Sequence, residues 1–399
     1  MPGISHRKMY PISTAELERR WSALRQQMAE KKIDVLYTFS TNEWSSGYIK
    51  WLTDRMPGNG IYFSIIFPRD EEMTVVGPGG FGGDKRLPPG GDDVLRGVKR
   101  AMSAPYFLGA TFSEAYLHEA TETALEEFAG ATIGLVGPGM IGYTLMDYLR
   151  RGKLANARII DATDIVDGLM VIKSDEEIAA IRRSAELQDQ AFEAVLAQAR
   201  PGMRDFEITT IADQVARLGG SETGLLSGAS APIGSGVQMQ FRQMQNRMMN
   251  KGDQFTLLIE TAGPGGFFCE LGRTFLFGRA TQKMKDEVNT VIEAQKLTTE
   301  MLGAGASCAD VWEAHNRFLR ERGRPEEDRL YAHGQGYFLV ERPLIRFDER
   351  MPIRPRMNVA VHPMYRHEGN LTWMCDNFLI GDNGTERLHR TPQHIFEID

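Results

Sequence analysis

The period of hydrophobic and polar positions changes several times along this chain, and each change predicts an element. From Thr14 to Lys31, Leu17, Trp21, Leu24 and Met28 recur at helical spacing with charges between them, which predicts an amphipathic helix. Ile33 to Phe39 is a short apolar strand, and so are Ile61 to Phe67 and Met73 to Val76, with a Pro-Arg-Asp turn between the last two. Trp44 to Asp54 is unusually aromatic for an exposed segment, and Phe81 to Gly91 reads as a Gly/Pro loop. A helix over Leu117 to Glu127 and a strand over Thr132 to Val136 follow. This alternation of helix and strand predicts one α/β domain over residues 1–165.

The pattern shifts at Met170 to Ile178. Ser174 is followed three residues later by Glu177, a capping box in which each side chain satisfies the other's orphan amide. The helix it opens runs towards Ala199 and ends at Arg200-Pro-Gly. Further helices are predicted over 204–218, 282–302 and 309–322, and strand-like segments alternate with turns to the C-terminus. Between these helices, Lys251 to Phe277 reads as two strands around Ala262-Gly-Pro-Gly-Gly, each with one carboxylate, Glu260 and Glu270. A hairpin folded at Gly263 to Gly266 brings them side by side. Acids among apolar neighbours are costly unless paired with a cation, protonated or bound to metal, so this pair is the first candidate site; solvated residues at strand ends are the alternative. The expectation is an α+β protein: an α/β domain at 1–165, then a second domain at 166–399.

Composition narrows the function. A net charge of −7 and a pI near 5.7 argue against nucleic-acid binding. Three cysteines, Cys269, Cys308 and Cys375, show no CxxC spacing, which suits a reducing compartment and predicts no disulfide scaffold. The first residues, Met1 to Ser13, have no apolar core of signal-peptide length. No apolar run approaches the roughly 20 residues of a membrane helix. A soluble cytoplasmic protein is expected.

Several motifs carry a resemblance. Lys251-Gly-Asp253, a hydrophobic strand, an acid, a Gly-rich turn, and then Glu270 to Phe275 resemble the pita-bread superfamily of creatinase, aminopeptidase P, prolidase and methionine aminopeptidase. The entry Ile172-Lys-Ser174 into the long helix is similar to the family's, and Tyr48-Ile-Lys-Trp-Leu-Thr53 resembles its "YLTG" segment. Ala332-His-Gly-Gln-Gly336 through Glu341-Arg-Pro343 resembles "GHGxG…HExP". Asn358-Val-Ala-Val-His-Pro363 resembles the segment with a metal-binding Glu-Pro, and Cys375-Asp-Asn-Phe-Leu-Ile-Gly-Asp-Asn-Gly384 the terminal "ED…DG" strand. The resemblance is detailed over residues 170–385.

The resemblance implies a creatinase-like N-terminal domain, a pita-bread catalytic domain and a homodimer whose pocket the partner closes. In the family's metallopeptidases, two aspartates bridge two metal ions. Here the five metal positions read Glu260, Glu270, His333, His362 and Cys375, while Phe241 and Val340 replace two further histidines. That set could hold zinc, but a bridged pair of hard ions prefers an oxygen-rich shell. The expectation is therefore a metal-free site with no cofactor, for which creatinase is a precedent.

A metal-free site suits an amidinium, which is already electrophilic at carbon and matches carboxylate oxygens through two N–H groups. Within the family, the pattern resembles the ectoine hydrolases, which open a cyclic amidine to N-acetyl-2,4-diaminobutyrate. That implies a glutamate nucleophile, assigned to Glu260. Glu270 would hold the second nitrogen or activate water, and His333 and His362 would shuttle protons in the neutral range. Phe241, Phe267, Tyr337, Trp373, Cys375 and Asp376 are the expected substrate contacts. Arg55 (acting in trans), Arg242 and Arg273 are open candidates for the substrate carboxylate, Arg273 reading first as a structural partner. An Xaa-Pro-type metallopeptidase with altered ligands, or a non-catalytic binder, are the alternatives.

Overall fold

Ser13 caps the first helix by accepting the Glu16 amide at 3.1 Å, and Lys32 ends it in the left-handed conformation. Between them, Leu17, Trp21, Leu24 and Met28 are buried along one stripe, as their spacing predicts. The computed structural model describes residues 8–367 and 369–399; the first seven residues, read above for a signal segment, lie outside them. The chain divides between Met170 and Val171 into two units.

The first unit is built on a seven-stranded mixed sheet. Its Val35–Ser40 strand pairs antiparallel with Phe63–Pro68 and parallel with Thr132–Val136. From Gly47 to Thr53 the aromatic segment is helical and buried, so the Tyr48 and Trp51 rings are core, while Trp44 before it is exposed. The stretch read as a Gly/Pro loop contains a short exposed strand, Gly83–Arg86, which pairs antiparallel with Val98–Ala104. Its polar composition fits a sheet edge and carries no alternating signal.

In the second unit the capping box forms as predicted. The Glu177 amide donates to Ser174 Oγ at 3.3 Å, and the Ser174 amide to Glu177 at 2.5 Å. The helix it starts runs from Asp175 to Gln198. Helices at Asp205–Leu218, Gln282–Met301 and Cys308–Glu321 lie within a residue or so of their predicted bounds. One five-stranded sheet carries the hairpin Asp253–Ala262 and Phe268–Phe277, flanked by Thr223–Pro232 and Phe396–Ile398. The other carries Ala332–Gly334, Asn358–Val361 and Asp376–Gly381.

The two sheets are joined main chain to main chain. Gly272 and Cys375 exchange both backbone hydrogen bonds, at 3.1 and 3.2 Å. A Cβ on Gly272 would stand 2.8 Å from that of Cys375, so only glycine lets the chains approach this closely. The residue types at 272 and 375 thus bring the second sheet against the acid-bearing hairpin.

Candidate active site

The hairpin turns at Gly265 and Gly266, both in the positive-φ region that favours glycine. Its register places Glu260 directly opposite Glu270, where cross-strand side chains lie close together. Both are buried, and their carboxyls are hydrogen-bonded to each other.

The second sheet supplies the rest. Cys375 donates its thiol hydrogen to Glu270 Oε1 at 2.6 Å. His362 follows the Asn358–Val361 strand and places Nε2 3.8 Å from the same oxygen. His333 lies across the sheet with its ring 5.1 Å from that of His362. Its Nδ1 is 2.9 Å from the Gly334 carbonyl, which can only accept, so Nδ1 carries a hydrogen and donates it there. His362 Nδ1 and Trp373 Nε1 are buried without a hydrogen-bond partner among the described residues, and the two rings lie 6.1 Å apart.

The two acids differ in charge. Burial pushes the Glu260 carboxyl well above the carboxylate range, and the adjacent Glu270 charge adds to this. Burial also acts upward on Glu270, but His362, His333, the Cys375 thiol and the Glu260 proton outweigh it and hold Glu270 below its ordinary value. The two acids titrate as one pair, in which Glu260 favours the protonated form and Glu270 the charged one. Burial pushes the Cys375 thiol well upward, with the Glu270 charge adding to it. Burial pushes His362 down to about 4 against the attraction of Glu270. His362 is therefore neutral at pH 7 and does not titrate in the neutral range as expected.

The remaining sequence candidates divide. Trp373 stands beside His362. Arg273 is fully buried and all five of its N–H groups are engaged: with Pro392 O, Gly272 O, Cys375 O, Thr391 O and Asp376 at 2.6–3.0 Å. It has no hydrogen left for a substrate carboxylate. Asp376 is corrected with it: its carboxylate is taken up by Arg273, Arg387, Gln295 and Gln393, a structural role. Phe267 and Tyr337 pack on each other with centroids 4.7 Å apart, and the Tyr337 hydroxyl donates to Glu177 at 2.5 Å. Both are fully buried core residues joining the hairpin to the long helix. Phe241 is 53% exposed on a two-residue edge strand, and exposed Arg242 follows it. Arg55 belongs to the first unit, where its guanidinium lies 5.2 Å from the Phe63 ring.

Sequence reasoning missed Gln335 and Asn377. Gln335 donates to Glu260 Oε1 at 2.9 Å, and Asn377 accepts from the Glu270 amide at 2.7 Å. The available signal was a carboxamide next to a candidate residue in each motif, Gln335 two residues after His333 and Asn377 beside Asp376. The buried Lys173–Glu341 ion pair was missed too; it joins the helix-entry and Glu-Arg-Pro motifs.

A model described as metallopeptidase family M24 matches residues 179–384, just over half of the chain. The chain belongs to that family, whose members are hydrolases. The Xaa-Pro dipeptidase of Pyrococcus furiosus is 23% identical over 66% of this chain and 75% of its own length. The uncharacterized hydrolase/peptidase y4tL of Sinorhizobium fredii is 24% identical over 99% of both. Among solved structures, the X-Pro aminopeptidase from Thermotoga maritima superposes with a TM-score of 0.75 at 17% identity, covering 95% of this chain and 99% of that one. The prolidase from Thermococcus sibiricus gives 0.76 at 16% identity, covering 96% and 99%. The α+β fold is thus the pita-bread fold. No helix among the described residues is long and apolar enough to cross a membrane.

The family's name implies metal, and the donor set bears on how much of one these residues could hold. A bridged pair of hard ions needs both acids ionised in an oxygen-rich shell. Here a thiol, Cys375, and an imidazole, His362, stand at two positions that the resemblance assigns to metal, leaving two carboxylates, two imidazoles and a thiol, a shell poorer in oxygen. These residues do not fit a bridged pair. Donor atoms of Glu270, His333 and His362 do lie within 4.8 Å of one another. Two imidazoles and a carboxylate are a set that could hold one zinc-like ion, which would polarise a water.

Proposed function

We propose that this protein is a hydrolase whose Glu260–Glu270 pair opens a small cyclic amidine of the ectoine class, without a bridged metal pair. The observation that carries this is the geometry of the pair: two buried acids face each other with no lysine or arginine among their described partners, an arrangement that favours one shared proton and a monoanion, the complement of a monocationic amidinium. Ring opening yields an N-acetyl diamino acid. The same reading takes the protein as a homodimer, for which sedimentation should give twice the 44.7 kDa chain mass.

The electrostatics favour roles for the two acids opposite to those expected from the resemblance. Ionised Glu270 attacks the amidinium carbon and forms a C–O bond. The Glu260 proton passes to the departing ring nitrogen, the C–N bond breaks, and an acyloxy-imidate stays on Glu270. Glu260, now ionised, takes a proton from water as it attacks the same carbon. Collapse releases Glu270 and leaves the amide; the second water proton ends on the freed amine. His362, neutral and with Nδ1 unpartnered, is an acceptor for a substrate N–H or for that water.

A second reading has its own observation. The convergence of Glu270, His333 and His362 favours a single-ion hydrolase of Xaa-Pro dipeptide type, the activity in the name of the Pyrococcus furiosus relative. One experiment separates the two. The purified protein is assayed before and after chelation with ectoine, followed by proton NMR, and with an Xaa-Pro dipeptide. The expected result is ring opening that survives chelation. Chelator-sensitive dipeptide cleavage with ectoine untouched selects the second reading.

A further inference from the structure

We propose that the first unit carries a binding site for a small organic cation with N–H groups, an amidinium, guanidinium or primary ammonium, and that Glu122 is its counter-charge. The site belongs to a different unit from the Glu260–Glu270 pair and does not rest on the reading of that pair.

Two helices build it, Glu114–Leu125 and Tyr143–Arg151. His118 and Glu122 stand four residues apart on the first, and Tyr143, Asp147 and Arg151 stand four apart on the second, so each set shares one helix face. With Tyr148 and Lys153 these faces line an open cavity of about 630 Å³, within the roughly 300–1,000 Å³ of small-molecule sites.

The acids and bases in the lining are paired but for one. Arg151 binds Asp147 at 2.8 Å, and Lys153 Nζ binds Glu126 at 3.0 Å. Glu122 is only 9% exposed and has no ion pair with a described lysine or arginine. Its Oε1 accepts the Lys153 amide at 2.6 Å. Gly152 permits that approach, since a Cβ there would stand 2.0 Å from Oε1. Oε2 has only the Tyr148 hydroxyl, at 3.4 Å, longer than the roughly 2.5–3.0 Å of a good O–H···O bond. A buried carboxylate with one oxygen short of a donor, and no cation of its own, is costly unless a ligand supplies both.

The walls suit a cation as well. The His118 and Tyr148 rings lie 5.1 Å apart, tilted by 33°, and Tyr143 is 78% exposed at the start of the second helix. Burial holds His118 below its ordinary value, so at pH 7 it presents a neutral ring that does not repel a cation. Aromatic faces attract cations, and two N–H groups on one carbon match the oxygens of a carboxylate. A neutral or anionic ligand would leave Glu122 uncompensated.

Isothermal titration calorimetry of the full chain tests this with benzamidine, a flat amidinium, and benzamide, its neutral isostere. The Glu260–Glu270 pair is itself proposed to take an amidinium, so the titrations are run in Glu270→Gln as well as in the wild type. Benzamidine binding is expected to persist in Glu270→Gln, with benzamide weaker by about tenfold or more. Adding Glu122→Gln to that background should weaken benzamidine by about tenfold or more, the scale of one hydrogen bond between charged groups. Tyr143→Ser, at an exposed position outside the core, should weaken it about two- to fivefold. Binding lost in Glu270→Gln would assign the cation to the acid pair of the second unit and overturn the site. So would equal affinity for benzamidine and benzamide, no binding of either, or a Glu122→Gln protein that melts cooperatively and binds as its parent does. If Glu122→Gln does not melt cooperatively, Tyr143→Ser decides, and unchanged affinity there overturns the site.

Discussion

Cys375 and Asp376 are consecutive residues, yet they belong to two buried acidic centres of opposite character. Asp376 is held by Arg273 at 2.6 Å and Arg387 at 3.1 Å, with Gln295 and Gln393 on its other oxygen. Those cations outweigh burial and keep its carboxyl below the ordinary range. Glu260 and Glu270 are equally buried but have no lysine or arginine among their described partners; what surrounds them is each other, a thiol hydrogen and two histidine rings. A buried acid with its full set of cations has nothing left to offer a ligand. A buried pair short of one cation is poised to bind one. The comparison separates a structural carboxylate from those proposed to react where residue type alone does not.

The largest expected effect is on the reactive side. Glu270→Gln and Glu260→Gln should each lower ectoine opening by at least about 10³-fold, within the range for losing a nucleophile or general acid. Melting temperature should hold, because each change relieves a buried charge or proton clash. Substantial turnover by Glu270→Gln would sink the assignment of the charged acid.

Next is the structural side. Asp376→Asn leaves Arg273 buried with its charge uncompensated, which should cost about 3–5 kcal/mol of stability. Denaturant melts measure it, and a cost below about 1 kcal/mol would erase the contrast between the two centres.

The third concerns pH. Burial pushes His362 and His389 down to about 4 and His315 to about 3, from an ordinary 6.5. The unfolded chain therefore binds more protons than the folded one between pH 6.5 and 4, so stability is lost as pH falls through that window. Each histidine contributes on the order of 3–5 kcal/mol to that loss once the pH is below its folded value. Glu260 acts with the opposite sign, its raised value favouring the fold at acid pH. A melting temperature that rises on acidification from pH 6.5 to 5 would contradict the histidine assignment.

The smallest effect is expected at Cys375. Cys375→Ser keeps a donor for Glu270 Oε1 and should hold turnover within about tenfold. In the native protein the thiol, buried and pushed well upward, should resist iodoacetamide at pH 8 while unfolded chain reacts. Rapid native alkylation would mean the thiol is ionised and open.

What the sequence made legible was local. The capping box at Ser174, the hairpin turn and the opposition of Glu260 to Glu270 follow from spacings of a few residues, and the structure places them as expected. The saturation of Arg273 was not legible, because Thr391 and Pro392 arrive from more than 100 positions away. Tyr337 failed for a related reason: adjacency to His333 in sequence said nothing of the Glu177 carboxylate, 160 residues back, that takes its hydroxyl. Charge state was legible least, since it depends on how many partners each acid gathers, and those come from both sheets.

The Gly272–Cys375 junction bears on heat. Glu270 lies on one sheet, and Cys375, His333 and His362 lie on or beside the other, so their spacing rests on main-chain bonds, the Gly272–Cys375 pair and Phe268 N to Gly336 O at 2.7 Å, backed by the buried Asn377 side chain. Warming that loosens side chains elsewhere leaves that spacing alone. The site should keep its geometry up to the cooperative melt and lose it there, without an earlier decline, and a single methyl at position 272 should abolish that tolerance.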